Sequence, residues 1–128
     1  MFQLIQGQGD EVSNEVKQFL LDFKQAATSS SGIELVPREG NMLTLSYLGI
    51  TKKNLEEILL GLSVADYCKG PISDDSKPGE LWEFGKDMDG EEVYIKLKVV
   101  KELNLAKCIS FHIAAYPMRY PLKSDEQK

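Results

Sequence analysis

Apolar and polar residues alternate most regularly between Leu81 and Ala114, in three runs that predict three strands. Successive strand side chains point to opposite faces, so Leu81-Trp82-Glu83-Phe84 sets Trp82 and Phe84 against Glu83. Val93 to Val99 divides Val93, Ile95, Leu97 and Val99 from Tyr94, Lys96 and Lys98, the pattern of a strand buried on one side. Cys108 to Ile113 divides Ile109, Phe111 and Ile113 from Cys108, Ser110 and His112. With the apolar faces in one core, Glu83, Tyr94, Lys96, Lys98 and His112 meet on the opposite, wet face.

The N-terminal half follows a different period. Val12, Val16, Phe19, Leu20 and Phe23 recur at helical spacing and predict an amphipathic helix from about Asp10 to Ala27, with Asp10, Glu11 and Glu15 favourable at its N-terminal end. Residues 1–9 show no usable periodicity and read as a flexible lead-in. The run Thr28-Ser29-Ser30-Ser31-Gly32 stops the helix. Ile33-Glu34-Leu35-Val36 is a short strand that Pro37 ends or confines to an edge. Asn41 is placed to cap a helix from Met42 to Leu48, and Gly49 to stop it. Thr51 caps a second helix, Lys52 to Gly61, with a stripe of Leu55, Ile58, Leu59 and Leu62. Ser63-Val64-Ala65-Asp66 has capping-box spacing and predicts one more helical turn carrying Tyr67, Cys68 and Lys69. Gly70 to Glu80 reads as loop, and Asp89-Gly90 as the turn of a hairpin. Tyr116-Pro117-Met118-Arg119-Tyr120-Pro121 is an extended tail packed on the domain, and residues 124–128 are expected to be disordered. The fold class is α+β: a small antiparallel sheet of about four strands with helices on one face, in a single domain spanning 10–123.

Composition narrows the function. The chain has 128 residues, 42 % of them apolar and 27 % charged, enough for one real core and short for two. No apolar run approaches the roughly 18 to 20 residues of a membrane span, and Met1 to Ile5 lacks the basic start of a signal peptide. A cytoplasmic protein is expected. Cys68 and Cys108 lie far apart and the chain has one histidine, so reduced thiols and no metal or cofactor are expected. A net charge of −5 argues against nucleic-acid binding over the whole surface. The distribution is uneven, however. From Val93 to Lys123 the chain carries Lys96, Lys98, Lys101, Lys107, Arg119 and Lys123 against Glu102 alone.

The series Gly61-Leu62-Ser63, Asp66-Tyr67, Lys69, Leu81-Trp82-Glu83-Phe84, Glu92-Val93-Tyr94-Ile95-Lys96-Leu97 and Ile109-Ser110-Phe111 resembles the MqsR family of bacterial toxins, within the wider RelE-like group of small ribonucleases. The likeness covers roughly residues 33–113. It implies a RelE-like fold and the toxin of a type II toxin-antitoxin pair, an endoribonuclease that cleaves mRNA and is silenced by a cognate protein antitoxin. It also implies that Lys69 and Tyr94 matter for activity. The family has glutamine where this chain has Glu83, and a lysine or similar residue where it has His112.

Those two departures have a chemistry of their own. Metal-independent RNA cleavage needs a base for the 2′-hydroxyl, an acid for the leaving 5′-oxygen and cations for the phosphorane. Glu83 is the candidate base and His112 the candidate acid. Lys69, Lys96, Lys98 and Arg119 are candidates to hold phosphate, and Tyr94 to orient it or stack on a base. The competing reading makes Glu83 and Lys96 a cross-strand salt bridge on a non-catalytic RNA- or protein-binding module of the same fold.

Overall fold

A computed structural model of the chain describes residues 2–29 and 32–123. Its elements run α1 (Phe2–Ala27), β1 (Ile33–Leu35), α2 (Glu39–Leu48), α3 (Lys52–Leu60), β2 (Tyr67–Ser73), β3 (Glu80–Met88), β4 (Glu91–Val100) and β5 (Leu105–Ile113). The strands form one sheet in the order β1-β5-β4-β3-β2. β1 lies parallel to β5, and every other pairing is antiparallel. The class is α+β, with one strand more than the four expected. Among the described residues no helix is long and apolar enough to cross a membrane.

Val16, Phe19, Leu20, Phe23, Ala26 and Ala27 form the buried stripe of α1. Phe19 stacks on Trp82 at 5.0 Å between ring centroids and lies 6.0 Å from Phe84. Leu45 of α2 and Leu55 and Leu59 of α3 join the same cluster as Ile95, Leu97 and Phe111, so the helices cover one face of the sheet. Thr51 and Asn54 form a reciprocal capping box at the start of α3, and Gly49 ends α2 in the left-handed conformation. The β3–β4 hairpin turns on Asp89 and Gly90, both at positive φ.

Four local expectations are corrected. α1 begins at Phe2, so residues 2–9 are helical rather than a loose lead-in; once a helix is nucleated, each added residue gains a backbone bond without needing an apolar stripe. Residues 124–128 lie outside the described residues. After a short 3-10 turn at Val64–Asp66, Tyr67–Ser73 is strand β2, not a helical turn and a loop. Tyr67 turns inward against Trp82 and Phe84, and Pro71 is tolerated because β2 is an edge. Asn41 does not cap α2, whose N-cap is Arg38. It is 2 % exposed and its amide pins the sheet instead. Its Nδ2 donates to the carbonyls of Val36 and Ile109, and its Oδ1 accepts from the Phe111 N–H.

The fourth correction is in β5. Lys96 pairs with Ser110 and Leu97 with Cys108, which leaves Ile109 as an extra residue in a β-bulge. The bulge puts Ala106 and Cys108 in the core on one side of it and Phe111 on the other. Cys108 therefore points inward, opposite to its expected face, while His112 keeps the outer one.

Candidate active site on the outer sheet face

Ladder register assembles the polar face that the alternation implied. Glu83 lies opposite Lys69 on one side and Lys96 on the other, and Lys96 lies opposite Ser110. In the next outward row, Gly85, Tyr94 and His112 stand side by side across β3, β4 and β5. Tyr94 is the hinge of the group. Its Oη donates to Glu83 Oε2 at 2.8 Å, its ring stacks on His112 at 4.9 Å, and Lys96 Nζ lies 5.9 Å from its centroid. Burial first, and then the Glu83 carboxylate, push the Tyr94 phenol above its ordinary range, so it stays protonated and remains a donor. Glu83 and Lys96 are ladder neighbours, yet they form no salt bridge; the carboxylate takes the phenol instead.

His112 Nδ1 lies 3.0 Å from the Ile113 carbonyl. A carbonyl only accepts, so this contact is a hydrogen bond in the tautomer that carries its proton on Nδ1. Lys69 is exposed on the edge strand rather than at a helix end, and its ammonium has no ion-pair partner among the described residues.

Two expected phosphate ligands stand apart. Lys98 is on the outer face but only 4 % exposed, because the β2–β3 connection folds over it: Asp74 Oδ2 accepts from its Nζ at 2.7 Å, and Gly79 packs on its stem. The lysine's ammonium is committed to holding that connection. Arg119 sits exposed on the tail and touches none of the clustered groups through a hydrogen bond or ion pair among the described residues.

The tail, from which the sequence offered Arg119 as a phosphate ligand, borders the site through Met118 and Tyr120 instead. Met118 N–H and Tyr120 Oη both bond Glu92, and Met118 and Tyr120 lie over Gly85 so closely that a Cβ there would sit 2.5 Å from Tyr120 Oη. Burial and Glu92 raise the Tyr120 phenol above its usual range. The tail thus walls the site on the β3 side, beside Tyr94. A glycine inside an apolar strand is the sequence signal of such a close approach, and Phe84-Gly85-Lys86 carries it. Cys68 belongs to the same neighbourhood. Burial, and then the carboxylates of Glu92, Glu83 and Asp66, push its thiol up to about 12.

The arrangement provides a carboxylate oriented by a phenol, an imidazole stacked on that phenol's ring, and two ammonium groups on an open surface. Among the described residues no group of three or more histidine, cysteine or acidic side chains has metal-holding geometry. No protein-family model, curated protein or solved structure matches this chain.

Proposed function

We propose that the chain is a metal-independent endoribonuclease that cleaves mRNA, acting as the toxin of a type II toxin-antitoxin pair in the cytoplasm and held in check by a protein antitoxin. The Tyr94–Glu83 bond with His112 stacked on the other side of the phenol ring is the observation that favours it. The likeness to the MqsR family supports the same assignment. An open, cation-bearing sheet face suits a polymer better than an enclosed pocket would.

In this mechanism Glu83 takes the proton from a ribose 2′-hydroxyl. The 2′-oxygen attacks the adjacent phosphorus, the bond from phosphorus to the 5′-oxygen breaks, and His112 Nε2–H gives its proton to that oxygen. The products are a 2′,3′-cyclic phosphate and a 5′-hydroxyl. β3 and β5 are two strand spacings apart, about 10 Å of backbone, which leaves room for a phosphodiester between base and acid above Tyr94. Lys69 and Lys96 neutralise the charge that grows on the phosphorane. Tyr94 is a positioning residue, since its hydroxyl is occupied by Glu83.

Induced expression should arrest growth and create new mRNA ends visible by primer extension. The purified protein should leave 2′,3′-cyclic phosphate ends in EDTA as well as without it. Glu83→Gln and His112→Ala should each slow cleavage by about 10²-fold or more while keeping the wild-type circular dichroism spectrum. Intact RNA in the presence of folded wild-type protein would sink the nuclease assignment and leave a binding module of the same fold.

A further inference from the structure

A cleft of about 520 Å3 lies away from the candidate active site, on the helix side of the sheet. Its walls are α1, the β2–β3 connection and the end of β4. Phe19, Trp82 and Val99 give it an apolar floor, and the first two are stacked and nearly buried, a rigid surface for an inserted side chain. Pro71 and Pro78 stiffen one wall.

The rim has the opposite character. Glu15 and Asp22 from α1, Glu80 at the start of β3 and Glu102 after β4 all border the cleft. Lys101 is the only cation among the lining residues, so four carboxylates face one ammonium. None of the four stands in an ion pair among the described residues; Asp22 accepts a hydrogen bond from Gln18. Three separate elements thus bring like charges around one apolar floor, an arrangement that favours a partner carrying the opposite charge. Nucleic acid is excluded by sign. A bare cation would satisfy the rim and leave the aromatic floor wet.

We infer that this cleft docks a basic, amphipathic peptide segment of a partner protein, which seats an aliphatic or aromatic side chain on Phe19 and Trp82 and sets lysine or arginine against Glu15, Asp22, Glu80 and Glu102. The inference does not depend on the nuclease assignment, because the cleft and the Tyr94 cluster lie on opposite faces of the sheet. Either can fail without the other.

Trp82 is the only tryptophan in the chain, so its fluorescence reports directly on the floor of the cleft. The full-length protein would be titrated with an amidated peptide alternating lysine and leucine, with its glutamate–leucine counterpart, and with spermine. The expected result is a saturable emission change with the lysine peptide alone, weakened about tenfold in the triple variant Glu15→Gln, Asp22→Asn, Glu102→Gln. These are surface positions, and the variant's thermal midpoint checks that it folds. Amide shifts by NMR should centre on Phe19, Val99 and Glu102. Equal affinity of the triple variant, an equal response to spermine or to the glutamate peptide, or shifts centred on the exposed Met42, Leu43 and Tyr47 of α2 would each overturn the assignment.

Discussion

Tyr94 uses the two parts of its side chain for different partners: the hydroxyl for Glu83 and the ring for His112. Tyr94→Phe separates them. The ring stack survives and the carboxylate loses its donor, so stability should fall by about 1 kcal/mol. If the proposed nuclease mechanism holds, with Tyr94 positioning Glu83 as the base, steady-state kinetics on an oligoribonucleotide should show kcat reduced about tenfold or more with KM unchanged. Cys68 illustrates the opposite case, a reactive atom type silenced by its neighbours. Its shift from an ordinary 9.0 to about 12 lowers the thiolate fraction near neutrality by about a thousandfold. Iodoacetamide should therefore label the folded protein very slowly at pH 8 and the urea-unfolded protein at once, as followed by mass spectrometry. These residue-level pairings were partly legible: alternation put Glu83, Tyr94, Lys96 and His112 on one face. It did not show that the phenol would claim Glu83 in place of Lys96, because the period fixes the face and not the rotamer.

At the level of elements, the surprises come from residues that serve a different element from the one they belong to. Asn41 sits in α2 but completes β5, supplying the bonds that the three-residue β1 is too short to provide. Asn41→Ala would strand the Phe111 N–H and the Ile109 carbonyl in the interior, at about 1–3 kcal/mol for each group. The thermal midpoint should drop by roughly 10 °C or more. Lys98 likewise belongs to β4 and secures the β2–β3 connection through Asp74. The Lys98 ammonium holds the Asp74 carboxyl well below its ordinary 3.8. A carboxyl depressed in the folded state stabilises above its unfolded pKa and loses that contribution as pH falls toward the folded one. Asp74→Asn should thus melt earlier than wild type at pH 7, with the gap narrowing progressively below about pH 4. Neither arrangement is written in local sequence. Asn41 looks like a helix cap because asparagine caps helices, and Lys98 looks solvent-facing because the loop that covers it is distant in the chain. The bulge at Ile109 is similar: strict alternation cannot announce the residue at which it is interrupted.

For the whole molecule, the order of elements and the helices' common face followed from periodicity, since burial on one side is what periodicity records. β2 did not, because an edge strand containing Gly70-Pro71 has the composition of a loop. The molecule as a whole presents two chemically opposite surfaces, a cation-bearing outer sheet face and an acid-rimmed cleft on the helix side, separated by the thickness of one sheet and its core. Between them run two edges that offer little to a foreign strand. β1 is three residues long and followed closely by Pro37; beyond it Asn41 occupies the groups of β5 that a further strand would use. β2 is irregular in register and carries Pro71. Edges of this kind resist the open-ended stacking that turns crowded sheets into fibres. They also offer a partner little regular main chain to pair with, which leaves the side chains of the two faces as the larger part of what this surface presents.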